Sequence, residues 1–209
     1  MAGCGCGNVR FEGLSPRYRR VLLAVVAINA VMFAVEMTAG TLAGSQALKA
    51  DALDFLGDTL TYAMTLWAIG RPLAVRAAAA LVKGASLGLM GLWVLGSTLW
   101  QVMVAGVPDA PVMGVVGALA CAANLASVLL LLRYREGDAN VRSVWLCSRN
   151  DAIGNLAVVA AAGAVAFTGT AWPDLAVAAA MAGLFLWSAG QIMAQALAER
   201  GEARASVAG

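Results

Sequence analysis

The chain has no histidine among its 209 residues, so any metal centre in it must be built from carboxylates, thiolates or amides. Charge is scarce as well: Asp, Glu, Lys and Arg make up only 12% of the residues, against about 25% in an average soluble domain. Together with 61% apolar residues and a mean hydropathy of +0.80, that scarcity excludes an ordinary soluble domain and places the chain in a bilayer. The net charge is only +2, and there is no basic run or aromatic platform, which excludes nucleic acid as a partner. The first twenty residues have no apolar core ending in a small-residue cleavage site, so no signal peptide is expected. Cys4, Cys6, Cys121 and Cys147 do not form the pattern of a disulfide framework, and free thiols facing a reducing compartment are expected.

What the sequence does contain is six apolar segments, each near the roughly 20 residues that cross a hydrocarbon core. They run from Arg20 to Ala43, Leu48 to Ile69, Ala77 to Val102, Val112 to Arg133, Val141 to Thr168 and Leu175 to Ala198. The fold class expected is an all-α, polytopic membrane protein with six transmembrane helices. A flexible arm over residues 1–16 precedes the membrane domain of residues 17–199, and a short tail covers residues 200–209. The connectors are too short to form a soluble domain, and none is expected after the sixth helix. Arg10, Arg17, Arg19, Arg20, Arg71, Arg76, Lys83, Arg133, Arg135, Arg142, Arg200 and Arg204 all fall on one side if six helices alternate, with Lys49 the basic exception. By the positive-inside rule that side, and with it both termini, is cytoplasmic.

The second segment carries three carboxylates in an otherwise membrane-spanning stretch. Asp51, Asp54 and Asp58 are spaced i, i+3 and i+7, which stacks them on one helix face. An ionised side chain at bilayer depth costs at least about 2.5 kcal/mol, so three together need a partner, and a cation is the natural one. In the fifth segment Cys147 and Asp151 are four residues apart, with Asn150 beside them and Asn155 a turn further on. If the two helices face one another, Asp54, Asp58, Cys147 and Asp151 supply four ligands, a tetrahedral transition-metal count. Calcium or magnesium would call for more oxygens, and a ligating thiolate would favour softer ions such as zinc or cadmium. Cys147 reads equally well as a packed small hydrophobe, whereas Cys121, with no polar partner at helical spacing, reads as packing.

Other polar residues are secondary candidates. Glu36 shares a face of the first helix with Asn29 and reads as an intramembrane group more than as one solvated at the outer interface. Asp51 reads as vestibule or packing, because Lys49 puts the membrane edge close by. Arg149 either pairs with an acid or snorkels to the inner interface. Cys4 and Cys6 form a CxC on a glycine-rich arm; two thiolates are an incomplete metal site, and an ordinary flexible tail is the simpler reading.

The run Asn29, Glu36, Gly40, Gly44, Ser45, Ala47, Leu48, Ala50, Asp51, Ala52, Asp54, Asp58 resembles the first two helices of the cation diffusion facilitators, and Leu146, Cys147, Asp151, Asn155 and the TGTAWPD turn resemble later parts of the same family. That resemblance covers about Arg17 to Glu199. It implies six helices with cytoplasmic termini and export of a divalent metal, zinc first with cadmium or cobalt next, in exchange for protons. Asp54 and Asp58, with Cys147 and Asp151, take the places of the transport site, and Asn150 is a substitute donor. The chain departs from the family in having no histidine and no cytoplasmic domain after the sixth helix. The resemblance further implies a multi-pass protein of a bacterial inner membrane, a homodimer, and no prosthetic group or enzymatic activity. The alternatives are a proton-coupled exporter of small organic cations, disfavoured by only 7% aromatics, and an intramembrane metalloenzyme, which lacks a spare general base beside four ligands.

Overall fold

A computed structural model describes residues 15–68, 73–104, 106–134 and 139–208; within these, the side chains of 65, 68, 73, 74, 76, 77, 139–144, 146, 147 and 199–208 are not described. The described residues are helical apart from short connections. The helices are α1 (Pro16–Ala43), α2 (Gln46–Ala68), α3 (Leu73–Val104), α4 (Ala110–Leu131), α5 (Ala139–Thr168) and α6 (Trp172–Ala208), with a 3₁₀ turn, Leu132–Tyr134, after α4. The expected tail continues α6 as helix to Ala208, in keeping with its Ala, Glu and Arg content.

Five of the six helices contain spans long and apolar enough to cross a membrane: Pro16–Ala43, Ala78–Val104, Ala110–Tyr134, Ser148–Thr168 and Trp172–Ala198. The sixth expected span, α2, has 23 residues, about 34 Å of helix at 1.5 Å per residue, and so is long enough. It fails on composition alone, because Lys49, Asp51, Asp54 and Asp58 all lie in it. The other helices compensate by packing around it. α2 touches each of the five others, while α1, α4 and α5 close a four-helix group with it and α3 pairs with α6 alongside. Large apolar side chains such as Phe167, 94% exposed, and Leu42, 84% exposed, line the outside, where lipid is the solvent they suit.

Small residues set the helix separations. Gly84 and Gly91 of α3 lie directly against Met193 and Leu186 of α6, and Gly117 of α4 lies against Val158 of α5. Gly40 is the tightest approach to a backbone, since a Cβ there would sit 2.9 Å from Leu48 Cβ and 3.0 Å from Lys49 N. α1 then ends at Gly44, whose φ of 69° is the left-handed conformation that glycine adopts without strain.

Gly40→Ala is expected to lower stability by about 1–3 kcal/mol through overpacking, because backbone must move to admit the methyl group. Gly96→Ala, which meets nothing within 4 Å, should leave the melting temperature in detergent unchanged or raised. Thermal melts of both variants beside the parent protein check the pair.

Candidate metal site

The acidic face of α2 is turned inward, toward α1 on one side and toward α3, α5 and α6 on the other. Asp51 is 1% exposed, and its carboxyl meets that of Glu36, itself fully buried on α1. Glu36 is therefore not solvated at an interface, and Asp51 does not sit in an open vestibule. Both groups accept hydrogen bonds when ionised, and neither Glu36 oxygen nor Asp51 Oδ2 has a protein donor. Only a proton or a cation between them turns that contact into a bond.

One turn further along α2, Asp54 comes within hydrogen-bonding reach of Asp151 on α5, and Asp58 and Asp51 are close enough to repel its charge. Asp58 is held by its own helix: the Tyr62 hydroxyl, four residues on, donates to Asp58 Oδ2. Tyr62 belongs to a buried cluster with Tyr18, Leu22, Val25 and Leu131 that joins α1, α2 and α4, so its ring cannot swing freely. Asp51, Asp54, Asp58, Asn150 and Asp151 line one cavity of about 500 Å³ between α2, α3, α5 and α6. Three of the four principal ligands expected from sequence thus share a wall-to-wall space. The fourth, Cys147, has its side chain outside the described residues, and Cys4 and Cys6 lie outside them as well.

Among the described residues, no three acidic or thiol side chains close to the spacing of a metal ligand set. The three aspartates are arrayed along the cavity instead of being drawn around one point. Asn150 reaches the cavity, yet its amide oxygen accepts a 3.2 Å hydrogen bond from Arg149 Nη2. Arg149 lies 5.4 Å over the Trp145 ring, and no ion pair with an acid is seen for it among the described residues. Asn155 is fully buried, and both its amide atoms lack a protein partner, as do those of Asn29. Cys121 packs between α4 and α5 with its thiol 3.7 Å from the Ala152 carbonyl, in line with a structural role.

The opposite end of α2 is closed by a residue that sequence reading left in a loop. Asp174, near the start of α6 and 1% exposed, accepts from Ser45 Oγ at 2.6 Å, Gln46 N at 2.8 Å and Ala47 N at 3.0 Å. It caps another helix across more than a hundred residues of sequence, in the position where a helix dipole favours an anion. Ser45 Oγ also accepts from Leu48 N at 3.1 Å, and Gln101 of α3 donates to the Gly44 carbonyl at 3.3 Å. Spacing in the sequence offers no signal for so distant a cap. Tyr62 was accessible in principle, since it stands four residues after Asp58.

Residues 22–72 and 74–199 match the family model described as the cation efflux transmembrane domain. Two curated relatives are the metal cation efflux system protein CzcD of Cupriavidus metallidurans and the cation efflux system protein CzcD of an Alcaligenes species. Each is 28% identical over 176 residues, which cover 76% of this chain and 54% of the relative. The chain therefore spans about half the length of the curated relatives it matches.

Asp174→Ala leaves three donors at the start of α2 without their acceptor and is expected to cost about 3 kcal/mol, with Asp174→Asn milder because one carbonyl oxygen remains. Chemical or thermal unfolding in detergent, followed by circular dichroism, measures the difference.

Proposed function

Because the chain belongs to the cation efflux, or cation diffusion facilitator, family, we propose that it exports a divalent transition-metal cation across a membrane by exchange with protons. Zinc is the leading candidate, with cadmium and cobalt next. The observation that carries this reading is the approach of Asp54 on α2 to Asp151 on α5, beside Asp58, on the wall of one cavity. Like-charged carboxylates at that separation in a low-dielectric interior are stable only when protons or a multivalent cation neutralise them. The two neutralising agents compete for the same oxygens, and that competition is the chemical basis of exchange.

The path follows from where the cavity runs. It extends along α2 from Asp51 to Met64 and reaches Val82 of α3 and Ile192 of α6, toward the helix ends rich in arginine. In the other direction α2 is sealed by Asp174 and by buried Ala47, Leu48 and Ala50. This conformation accepts metal from the cytoplasmic side. Release to the outside requires the α3 and α6 pair to shift against the remaining four helices, an alternating-access movement about a fixed site. Cys147 completes the ligand sphere as a soft donor, with Asn150 and Asn155 as supporting polar groups. A homodimer in the inner membrane of a bacterium, with both termini cytoplasmic, is the assembly this reading implies. A small organic cation fits less well, because Phe185 is the one aromatic residue on the cavity wall among the described residues.

Uptake of zinc, cadmium, cobalt and manganese into proteoliposomes with an imposed proton gradient tests the proposal. Asp54→Asn, Asp58→Asn and Asp151→Asn are each expected to lower metal-driven flux by a hundredfold or more, in the range found when a charge partner of a site is removed. Cys147→Ser should alter the zinc to cadmium ratio more than the total flux. Zinc transport that persists in Asp58→Asn would take the carboxylates out of the mechanism.

A further inference from the structure

Asp58 lines the cavity and is half-buried, and its Oδ2 accepts a hydrogen bond from the Tyr62 hydroxyl. The donor reaches it from the protein side. Tyr62 is 1% exposed and packs with Tyr18, Leu22, Val25 and Leu131, and Leu66 and Trp145 lie against that cluster. Its ring is therefore clamped among α1, α2, α4 and the first part of α5, behind the cavity wall that Asp58 borders. Asp58 and Tyr62 are neighbours on one face of the same helix, so a shift of α3 and α6 against the other four leaves their bond in place. An aspartate turns about χ2 in a broad, nearly two-fold well, and by itself it offers a metal either oxygen or both. A hydroxyl anchored by packing takes that freedom away.

We propose that Tyr62 is a positioning residue for Asp58, one that commits its carboxylate to a one-oxygen grip on the metal and so favours zinc over the larger cadmium ion. The inference rests on the reading that this cavity takes a metal with Asp58 among its ligands. A two-oxygen grip has to compete for Oδ2 with a hydroxyl whose ring does not follow the carboxylate. Zinc completes a tetrahedron with one oxygen from each carboxylate, at about 2.0–2.2 Å, and gives up nothing under this constraint. A larger ion fills its wider coordination sphere by taking both oxygens of a carboxylate, as calcium does at about 2.3–2.6 Å, and the Tyr62 bond works against that. The hydroxyl is neutral, so it orients the ligand without changing the charge that the cavity presents to either ion.

Zinc and cadmium affinities of the purified full-length chain in detergent, measured by competition with a chelating dye, test the assignment. Tyr62→Phe keeps the ring in its cluster and removes only the hydroxyl, and water from the cavity can take the place of the lost donor, so its melting temperature should stay close to the parent's. It is expected to bind zinc about tenfold more weakly or worse, the usual effect of removing a hydrogen-bond partner of a metal ligand. Cadmium should lose less, so the ratio of zinc to cadmium affinity falls. Tyr62→Leu, which also lacks the hydroxyl, is measured in parallel so that poor folding of one variant does not decide the result. Damage to the fold weakens both ions together and leaves the ratio where it was. If the parent binds zinc and the ratio in the variants matches the parent's, the positioning role is overturned and the metal reading stands. A parent protein that binds neither ion would overturn the metal reading and the role of Tyr62 with it.

Discussion

The structure depends on the presence of several carboxylates in one low-dielectric interior. Glu36, Asp51, Asp54, Asp58 and Asp151 come from three helices, and their mutual repulsion opposes the packing that holds those helices together. In bulk water two unit charges at 4 Å cost about 1 kcal/mol, and several times that at the effective dielectric of a protein near its surface. A lipid-embedded bundle has no water-driven hydrophobic term between its helices to set against that repulsion, only packing and hydrogen bonds. The arrangement answers the problem by making the most polar helix the most enclosed one. α2 touches every other helix, so none of its three aspartates has to face lipid.

The two ends of α2 are treated differently, and the difference gives the molecule its direction. At its start, the Asp174 carboxylate gathers the donors of Ser45, Gln46 and Ala47, and Gln101 bonds back to the turn before it. Toward its other end, α2 borders the cavity, and there the Tyr62 hydroxyl donates to Asp58 one turn back. The start of α2 is tied by polar contacts across helices, and its second half borders the cavity. The helices that flank the cavity on the far side, α3 and α6, are paired through glycines and apolar side chains, an interface that slides more readily than one built from buried charges. Asn29 and Asn155 add buried amides with no protein partner, and in a native structure such groups mark places where water or an ion belongs.

Residue spacing made a large part of this legible. The i, i+3, i+7 run of Asp51, Asp54 and Asp58 fixes a shared face, and the polar positions Asp151 and Asn155 mark the matching face of α5. Apolar length fixed five spans, and for α2 the carboxylates themselves gave notice that its burial needed a special explanation. Two features were out of reach. Asp174 reads as a loop acid until the fold brings it to the start of α2, because a cap supplied from another helix leaves no local pattern. The position of Glu36 against Asp51 depends on the rotation of α1 about its axis, which Gly40 sets by letting Leu48 and Lys49 come within contact distance. For Lys83, too, the fold adds what spacing could not, since it lines the cavity. A basic residue a few turns inside a helix serves the positive-inside rule equally well whether it points to lipid headgroups or into a cavity, and only packing distinguishes the two.

The lack of histidine bears on how these groups work together. A neutral imidazole adds a donor to a metal site without adding charge, so sites that contain it approach neutrality with a divalent ion already in place. Here the described donors on the cavity wall that carry charge are aspartates, and each adds a negative charge to the same space. A site of that kind binds any cation in proportion to its charge and discriminates poorly by ligand softness. Selectivity must then come from the total charge of the cavity, from how its carboxylates are held and from whatever soft donor α5 contributes. With no imidazole in the chain, the acidic side chains that the fold gathers on this wall have to be neutralised by protons or by cations that enter the cavity.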